Sequence, residues 1–519
     1  MDLSMLTITL MAIPLIASLL MAAIPAKIVP RWLFESIHIL SVATVCLMSV
    51  YLAFVVISSG NDIMAIGEWF HLDALASIFL LLIGVIGFLT GWYSIPYIRH
   101  DAKEGLLTAS QIKQYYLFFN LFIFTMLIVA LSNNVVMMWV GIEATTLTTV
   151  FLVGIYNNKL SLEAAWKYVI VCTAGVAFGL YGTLLIYANG ADIMIDAHQA
   201  VFWTSLVPYA SQFDAMLVQI AFVFVVIGFG TKAGLFPMHT WLPDAHSEAP
   251  SPVSALLSGV LLKCAILIVI RFYILAIEAV GPEFPQTVML IIGIFSVAVA
   301  AFSVLMQNDL KRKLAYHSCE NIGIVALCLG FGGPLGIAAA LLHCVTHGFT
   351  KALLFCLSGN VLMKYGTRDL TKIKGILQVA PTTAVLLAIG LFGLAGFPPF
   401  AMFVSEVMAI VAGIVAGHIW IVVIFGIALT VVIAACIHII AHSVFGKAPD
   451  TVKKGDVGIA ALVPEVLMVA IILWFGVAMP QPLFHGIESA TAIVMQEEGR
   501  VLHEAPILKD ILASIENIE

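Results

Sequence analysis

Long apolar stretches separated by short polar loops run through almost the whole chain of 519 residues. A membrane-spanning helix needs roughly 20 apolar residues in succession, and by that rule the pattern predicts about 14 spans. Their approximate limits are residues 3–25, 37–58, 70–96, 114–132, 134–155, 164–189, 215–235, 251–278, 286–307, 317–331, 334–362, 378–416, 417–445 and 459–480. The first segment has no basic flank and no clear cleavage site, so we expect a retained helix and not a signal peptide. The pattern therefore predicts an all-α polytopic integral membrane protein.

Composition agrees with this prediction and narrows the chemistry. The chain is 62% hydrophobic and 10% charged, whereas soluble domains are about 25% charged. Its eight cysteines stand singly, without a CxxC pair, so the thiolate clusters of zinc and iron–sulfur sites are not evident. No glycine-rich phosphate loop follows a strand, and the net charge of −7 does not suggest nucleic acid. We expect no metal and no cofactor on this chain, a surrounding lipid bilayer and no nucleic-acid partner.

Lysine and arginine occupy alternate loops, and the loops between them hold only acids or no charge. We count the run 311–313 (KRK) among these basic loop residues. Because basic loops face the cytoplasm, we expect both termini outside, in the periplasm of a bacterium. The expected location is the inner (plasma) membrane, crossed many times.

Two apolar segments are interrupted by glycine and proline, at 228–237 (GFGTKAGLFP) and 393–406 (GLAGFPPFAMFVSE). Glycine and proline are common in membrane helices, but each interruption here also carries a charge, and the two lie five helices apart. Paired broken helices are typical of inverted repeats with a transport site near mid-membrane. The predicted division is helices 1–3 in 1–113, repeats in 114–278 (helices 4–8) and 286–445 (helices 9–13), and a last span with an amphipathic tail in 446–519.

Four charged residues lie at bilayer depth, namely Glu143, Lys232, Lys263 and Glu406. A charge costs several kcal/mol there, so it persists mainly beside a counter-charge or a watery path. If Glu143 and Lys232 form an attractive pair, the proton affinity of each depends on the other. Proton or ion translocation is the functional hypothesis, and a purely structural ion pair is the alternative.

Further groups have the chemistry of a proton relay, namely His239, His246, His317, His343, His347 and Lys351. We expect His239 and His246, with Asp244 and Glu248 in the same loop, to collect protons from the inner side. Helix capping is the alternative for each of them.

The four-residue spacing of His343, His347 and Lys351 places them on one helix face leading toward Glu406, and imidazole titrates near neutral pH. His317 is expected to join this line, with helix-end packing as the alternative. Haem ligation is disfavoured because two histidines one turn apart cannot bind opposite faces of one iron.

Three other charged residues are given no role. Arg271 lies near the end of its helix, where arginine commonly extends its head group to the interface. Glu320 and Glu465 lie near predicted helix ends, where we expect solvation.

The motifs resemble those of the antiporter-like membrane subunits of respiratory complex I, Mrp-type cation/proton antiporters and membrane-bound [NiFe] hydrogenases. The most specific stretch is 239–259 (HTWLPDAHSEAPSPVSALLSG), supported by 308–318 (NDLKRKLAYHS), 343–355 (HCVTHGFTKALLF) and 396–406 (GFPPFAMFVSE). By this resemblance Glu143, Lys232 and Lys263 form a proton channel. Several members have lysine at the position of Glu406. The middle antiporter-like subunit of complex I has glutamate there, as this chain does.

Two shorter stretches, 161–169 (SLEAAWKYV) and 366–376 (GTRDLTKIKGI), look most like component F of the hydrogenase-4 type. The resemblance implies a proton-pumping subunit without redox chemistry of its own, driven by partner subunits that hold iron–sulfur clusters or a [NiFe] site. The alternatives are the middle subunit of complex I, an Mrp-type Na+/H+ antiporter component or a proton-conducting component of inorganic-carbon uptake. A cytochrome b type redox subunit is disfavoured by the histidine spacing.

Overall fold

The chain is a bundle of apolar helices in a computed structural model that describes residues 2–26, 30–497 and 502. The α-helices of the described part are α1 (Leu3–Ala23), α2 (Arg31–Ser59), α3 (Ala74–Lys103), α4 (Ala109–Leu131), α5 (Val135–Val153), α6 (Lys159–Ile193), α7 (Trp203–Leu206), α8 (Ala215–Ala233), α9 (Trp241–Glu248), α10 (Ser251–Leu256), α11 (Leu262–Val280), α12 (Glu283–Leu305), α13 (Leu310–Phe331), α14 (Gly333–Tyr365), α15 (Ile376–Val379), α16 (Pro381–Leu394), α17 (Ala401–Val415), α18 (Ile419–Ile439), α19 (Ile459–Val477) and α20 (Gln481–Met495). Short 3-10 turns occur at Ala197–Val201, Val207–Gln212 and Met238–Thr240, and π-helical turns at Leu257–Leu261 and Ile440–Val444.

Among the described residues, 13 helical segments are long and apolar enough to cross a membrane. They correspond to the predicted spans with one exception, the segment predicted at 378–416. That segment is two shorter apolar helices, α16 and α17, because the chain is interrupted between them. The prediction of an all-α polytopic membrane protein is confirmed, and the division into inverted repeats stays a prediction.

Side chains at the loop ends begin many of these helices. Asn134 accepts hydrogen bonds from the N–H groups of Val136 and Met137 at the start of α5, and Asp214 accepts from Leu217 at the start of α8. These bonds satisfy backbone donors that have no partner in the first helical turn. The polar residues between apolar stretches therefore set where each span begins.

The centre of the bundle consists of α3, α10 with α11, α13 and α14. The most apolar windows of α10–α11 and α14 are entirely buried, whereas those of α1, α2, α18 and α19 are mostly exposed on the outer surface. A helix that is apolar all round belongs inside a bundle or against lipid. Polar and charged residues on the central helices are consequently kept from both water and lipid.

Both predicted interruptions are present. After α8 the chain turns at Gly234, with a φ of +86°, and continues through the Met238–Thr240 turn into α9. Between α16 and α17 it turns at Gly396, with a φ of +64°. Such left-handed conformations favour glycine, which has no Cβ. Each turn thereby leaves free helix ends inside the bundle, next to the residues on either side of the interruption.

Two small elements extend the predicted picture. A hairpin of β1 (Ile63–Ala65) and β2 (Phe70–Leu72) precedes α3, so the predicted span from residue 70 begins as a strand. In the tail, α20 packs against α2, α3 and α14 and buries Ile487 and Val494 on one face. The helix ends at Met495, and the amphipathic tail as a whole stays a prediction. Beyond residue 497 the predicted tail, apart from residue 502, lies outside the described residues.

Candidate functional site

Lys232 is buried in the last turn of α8, just before the first helix break. Its Nζ donates to Thr146 Oγ1 at 2.7 Å and to the Tyr168 hydroxyl at 2.6 Å, and it lies 4.6 Å from the centre of the Tyr168 ring. The carboxyl end of a helix carries a partial negative charge that favours a cation. Position and partners together stabilise the ammonium inside the bundle.

Glu143, half-buried on α5, reaches the same group of residues from the other side. Its carboxylate accepts from Thr173 Oγ1 at 2.8 Å and from Thr146 Oγ1 at 3.4 Å. In the described part of the chain Glu143 and Lys232 form no direct ion pair, and Thr146 joins them because its hydroxyl donates to one and accepts from the other. We call Glu143, Thr146, Tyr168 and Lys232 the first half-site.

Lys263 is fully buried and lies two residues beyond the π-helical turn Leu257–Leu261. Its Nζ donates to the carbonyl oxygen of Ser258, a backbone acceptor within that turn. A Cβ added to Gly259 would lie 3.1 Å from the Gly348 carbonyl oxygen, so glycine lets this turn approach α14 closely. The close approach brings Lys263 into electrostatic contact with His343 and His347 of α14.

The histidines of the loop after the first break have different environments. His239 lies in the Met238–Thr240 turn beside the Tyr316 ring. His246 is fully buried on α9 and stacks on Phe355 of α14, with ring centroids 5.0 Å apart. Neither ring nitrogen of His246 has a hydrogen-bond partner in the described structure. Buried polar atoms without partners are uncommon in proteins, so His246 stands out as an unsatisfied group facing α14.

The two acids of this loop pair with arginines. Asp244 lies 2.5 Å from Arg312, and Glu248 lies 2.8 Å from Arg368. The sequence predicts proton collection for these acids, and the geometry gives them the additional task of fastening the loop to the start of α13 and to the segment after α14.

His343 is the centre of a second polar cluster. Its Nε2 lies 3.0 Å from Asn321 Oδ1 and its Nδ1 lies 2.9 Å from Ser405 Oγ. The Ser405 hydroxyl can point to His343 or to the Met402 carbonyl, 2.8 Å away. Rotation of that hydroxyl toward Met402 would free His343 Nδ1 to take up a second proton without movement of a heavy atom.

Asn321 extends the cluster to a buried carboxylate. Its Nδ2 donates to Glu320 Oε2 at 2.9 Å, and His317 Nδ1 lies 3.6 Å from the same oxygen. We call His317, Glu320, Asn321, His343 and Glu406 the second half-site.

Glu406 lies in the second turn of α17, directly after Ser405. A Cβ on Gly396 would overlap its carboxylate, so the carboxylate rests on the left-handed glycine of the break. Glu406 makes no hydrogen bond to any described residue and interacts electrostatically with Glu320. The histidine line therefore ends at Ser405, next to Glu406 in sequence.

His347 and Lys351 continue the face of α14 that His343 begins. The rings of His343 and His347 are nearly parallel, with centroids 6.1 Å apart. Neither ring nitrogen of His347 has a partner in the described structure, and Lys351 Nζ donates to the Leu314 carbonyl oxygen. His347 is in electrostatic contact with both Lys263 and Lys351. This face of α14 thus joins Lys263 to the second half-site.

Three predictions of solvated charges are wrong. Glu320 is 1% exposed, Glu465 0% and Arg271 3%. The guanidinium of Arg271 forms a bidentate pair with Asp73 at 2.6 and 2.8 Å and lies over the Trp203 ring. In the structure Arg271 and Glu320 lie well inside α11 and α13, and α3 and α14 pack against α19, which carries Glu465 near its start, so the predicted nearness to a span end did not mean nearness to water. Each residue interrupts an apolar run as Glu143 does, and that signal would have identified all three.

The basic loop residue Lys311 is also buried. It is 1% exposed, and its Nζ donates to the Ala249 carbonyl oxygen. It lines a cavity of about 820 Å³ together with Asp101, Tyr97 and Tyr156. We call the end of the bundle where this cavity opens, beside Lys364 and Arg368, the basic side. The described residues contain no group of three or more His, Cys, Asp or Glu arranged to hold a metal.

Comparison with known proteins agrees with this arrangement. Residues 132–433 match the family described as NADH:quinone oxidoreductase/Mrp antiporter, TM. This range is more than half of the chain and contains Glu143, Lys232, Lys263 and Glu406. The chain belongs to this family and is an antiporter-like membrane subunit, so the resemblance inferred from the motifs is confirmed.

Among relatives, the chain is 39% identical over 346 residues to a hydrogenase-4 component F homolog of Methylacidiphilum infernorum (isolate V4), covering 66% of this chain and 72% of the relative. It is 30% identical over 351 residues to NADH-quinone oxidoreductase subunit N of Desulforudis audaxviator (strain MP104C), covering 67% and 66%. Its fold matches a chain of the membrane-bound sulfane sulfur reductase, an archaeal respiratory membrane complex, with a TM-score of 0.84, 24% identity and coverage of 96% and 99%. The names of subunit N and of the sulfane sulfur reductase identify these two proteins as parts of multisubunit complexes.

Proposed function

We propose that this chain translocates protons as a subunit of a membrane-bound hydrogenase of the [NiFe] type, with iron–sulfur and [NiFe] subunits as its partners. The main support is the first half-site, where a buried lysine and a glutamate share one threonine hydroxyl. The similarity to the hydrogenase-4 component F homolog favours this partner complex over complex I.

Coupling follows from the electrostatics of the first half-site. Glu143 and Lys232 interact across Thr146 in a region of low dielectric, where a change of charge at one group strongly changes the free energy of charge at the other. Displacement of Glu143 would release the Lys232 proton, and its return would favour proton uptake. Electron transfer in partner subunits would drive this displacement, since the chain carries no redox group in this proposal.

The proton then passes along the centre of the bundle. In this route Lys263, His347 and Lys351 carry the proton from the first half-site to the second, and His343 can accept it when the Ser405 hydroxyl rotates. Glu320 and Glu406 are the acceptors in the second half-site. His239, His246 and His317 serve as entry and side groups of the relay. In the proposed orientation of the chain in the membrane, the basic side faces the cytoplasm and both termini face the periplasm.

Transport is tested in membrane vesicles that contain the assembled complex. Lys232→Ala and Glu143→Ala should each abolish proton pumping driven by the electron donor, while the complex still assembles. Lys372→Ala is the control, because this exposed lysine pairs only with Asp369 at 3.6 Å among the described residues. Normal pumping by either half-site variant would refute the mechanism.

The partner complex is tested by gentle detergent extraction, purification through a tag on this chain, and mass spectrometry. A [NiFe] hydrogenase pair with iron–sulfur subunits is the expected result. Co-purification of NADH dehydrogenase subunits would place the chain in complex I instead. Small membrane subunits alone would indicate an Mrp-type antiporter or an inorganic-carbon uptake component, and electron-driven pumping would be abandoned.

A further inference from the structure

Glu465 is a fully buried carboxylate that the proposed transport route does not use. It lies on α19, outside the residues 132–433 that match the family. Both of its oxygens accept from Asn360 Nδ2 of α14, at 2.9 and 2.8 Å. None of the described residues forms an ion pair with it within 4 Å. Ionisation of a buried carboxyl without water or a cation costs several kcal/mol, so we expect Glu465 to be protonated.

The groups around Glu465 lead toward the basic side. The Tyr93 hydroxyl of α3 donates to Asn360 Oδ1 at 2.9 Å and to the Cys356 carbonyl oxygen at 2.8 Å. Asp456, in the loop before α19, is a charged group that acts on Glu465 from the same side. The Glu465 carboxyl and the Tyr93 hydroxyl are therefore held on opposite ends of one amide side chain.

The hydroxyl of Ser251 connects Tyr93 to the next turn of α3. A Cβ on Gly359 would lie 2.5 Å from the Tyr93 hydroxyl and 3.1 Å from Ser251 Oγ, so these two groups flank the same glycine. Ser251 Oγ is buried without a hydrogen-bond partner in the described structure. It flanks Gly359 together with the Tyr93 hydroxyl, and it interacts with Tyr97, one turn further along α3.

From Tyr97 the route reaches the cavity of the basic side. The hydroxyls of Tyr97 and Tyr156 are 3.3 Å apart, and Tyr156 donates to Asp101 Oδ2 at 2.5 Å. Tyr97, Tyr156 and Asp101 all line the cavity of about 820 Å³. A line of hydroxyl groups thus extends from this cavity to a carboxylate buried on α19.

We propose that Glu465 is an additional proton-binding site, filled from the basic side through Tyr156, Tyr97, Ser251 and Tyr93. A proton reaches Glu465 from the Tyr93 hydroxyl when the Asn360 amide turns aside. Tyr93 regains a proton from Ser251, Ser251 from Tyr97, Tyr97 from Tyr156, and the last one comes from cavity water through Asp101. Asn360 is a positioning residue, because it holds donor and acceptor in place without carrying the proton.

The test measures the proton on Glu465 directly and needs no pumping, so it is independent of the transport proposal. Infrared spectra of the purified complex at neutral pH should contain the C=O band of a protonated buried carboxyl, and this band should be missing in Glu465→Gln. After transfer to D2O the band shifts as the proton exchanges. In Tyr93→Phe this exchange should be at least tenfold slower, a change of about 1.4 kcal/mol in the barrier.

Tyr273→Phe is the matched control. This buried tyrosine donates to the Leu329 carbonyl oxygen and does not line the cavity of the basic side, so its removal should leave the exchange rate unchanged. Identical spectra of the wild type and Glu465→Gln would overturn the proposal. Equal exchange rates in wild type and Tyr93→Phe would overturn the route.

A second measurement needs no variant. Dicyclohexylcarbodiimide reacts with protonated carboxyls in apolar surroundings: the carboxyl adds across one C=N bond, and the product rearranges to a stable N-acylurea with no leaving group. Mass spectrometry should find this adduct on the peptide that contains Glu465. Absence of the adduct from that peptide, while other buried carboxyls of the complex react, would also overturn the proposal.

Discussion

The two half-sites differ in how they hold charge. In the first, a lysine and a glutamate of opposite charge meet at one threonine hydroxyl. In the second, two carboxylates interact with each other, and Lys351 of α14 acts electrostatically on Glu320. The first half-site pairs one cation with one carboxylate, whereas the second combines two carboxylates with Lys351, so ionisation of both carboxylates leaves an excess negative charge and an electrostatic cost.

The polarity of the broken helices matches this difference. Lys232 lies at the carboxyl end of α8, where the partial charge of the helix is negative, and Glu406 lies near the amino end of α17, where it is positive. Each break therefore offers a helix end of the sign that its own charge requires. An interruption therefore stabilises a buried charge through the helix end that it creates as well as through neighbouring side chains.

Removal of the shared hydroxyl should have the largest effect. Thr146→Val leaves Lys232 and Glu143 without their link, and hydrogen bonds to charged groups contribute about 1.5–3 kcal/mol. We expect at least a tenfold loss of proton transport in vesicles. Thr145→Val is the matched control, since the Thr145 hydroxyl donates to the Ile142 carbonyl oxygen and not to Glu143 or Lys232. Equal transport in both variants would mean that Thr146 does not couple the pair.

The second break is tested by Gly396→Ala. A left-handed conformation costs a residue with Cβ about 1–2 kcal/mol, and here the Cβ also displaces the Glu406 carboxylate. Thermal unfolding in detergent should show lower stability, and transport should fall. Gly417→Ala separates the two causes, because Gly417 has a φ of +80° with nothing within 4 Å of an added Cβ. This control should lose stability but keep transport; if it loses transport too, contact with Glu406 is not the cause.

The amide link of the second half-site should matter less than the charged link of the first. Asn321→Leu removes the link from Asn321 to His343 in the relay, and a neutral hydrogen bond contributes about 1 kcal/mol. We expect transport to fall by about fivefold, as measured in the same vesicles. A loss larger than that of Thr146→Val would reverse the proposed ranking of the two half-sites.

The smallest effect concerns the start of α16, the half-helix before the second break. Asp456 accepts hydrogen bonds from the N–H groups of Thr382 and Thr383, whereas α8 is capped by Asp214 in its own chain segment. Asp456→Ala should cost about 1 kcal/mol of stability, as for other lost caps. Thermal unfolding measures this loss, and Asp450→Ala is the control from the same loop.

The cap should also depend on pH. Partial burial raises the pKa of Asp456, but hydrogen bonds from Thr383 and Thr382 outweigh it and lower the pKa below the ordinary value of 3.8. A lowered carboxyl pKa stabilises the fold fully above that ordinary value, and the contribution is lost as the pH falls below it. The difference between wild type and Asp456→Ala should therefore shrink in acid. A constant difference would show that the charge does not contribute.

The membrane class, the order of the spans and the presence of four charges at bilayer depth follow from the sequence alone. The reason is that a span needs an apolar run of known length and that a charge within such a run is conspicuous. The interruptions at 228–237 and 393–406 were also evident, since glycine and proline permit turns that other residues resist.

The contacts between polar side chains of different helices are evident only from the packed bundle. The Thr146 link, the Asn321 bridge and the Asp73–Arg271 pair join residues on different helices, and helix periodicity alone does not specify packing partners. Burial was decided in the same way: Glu465 and Lys311 lie near helix starts that neighbouring helices cover, and Glu320 lies in the middle of α13, which begins before the predicted span. Local pattern fixes where a helix lies along the chain, whereas access to water depends on what packs around it.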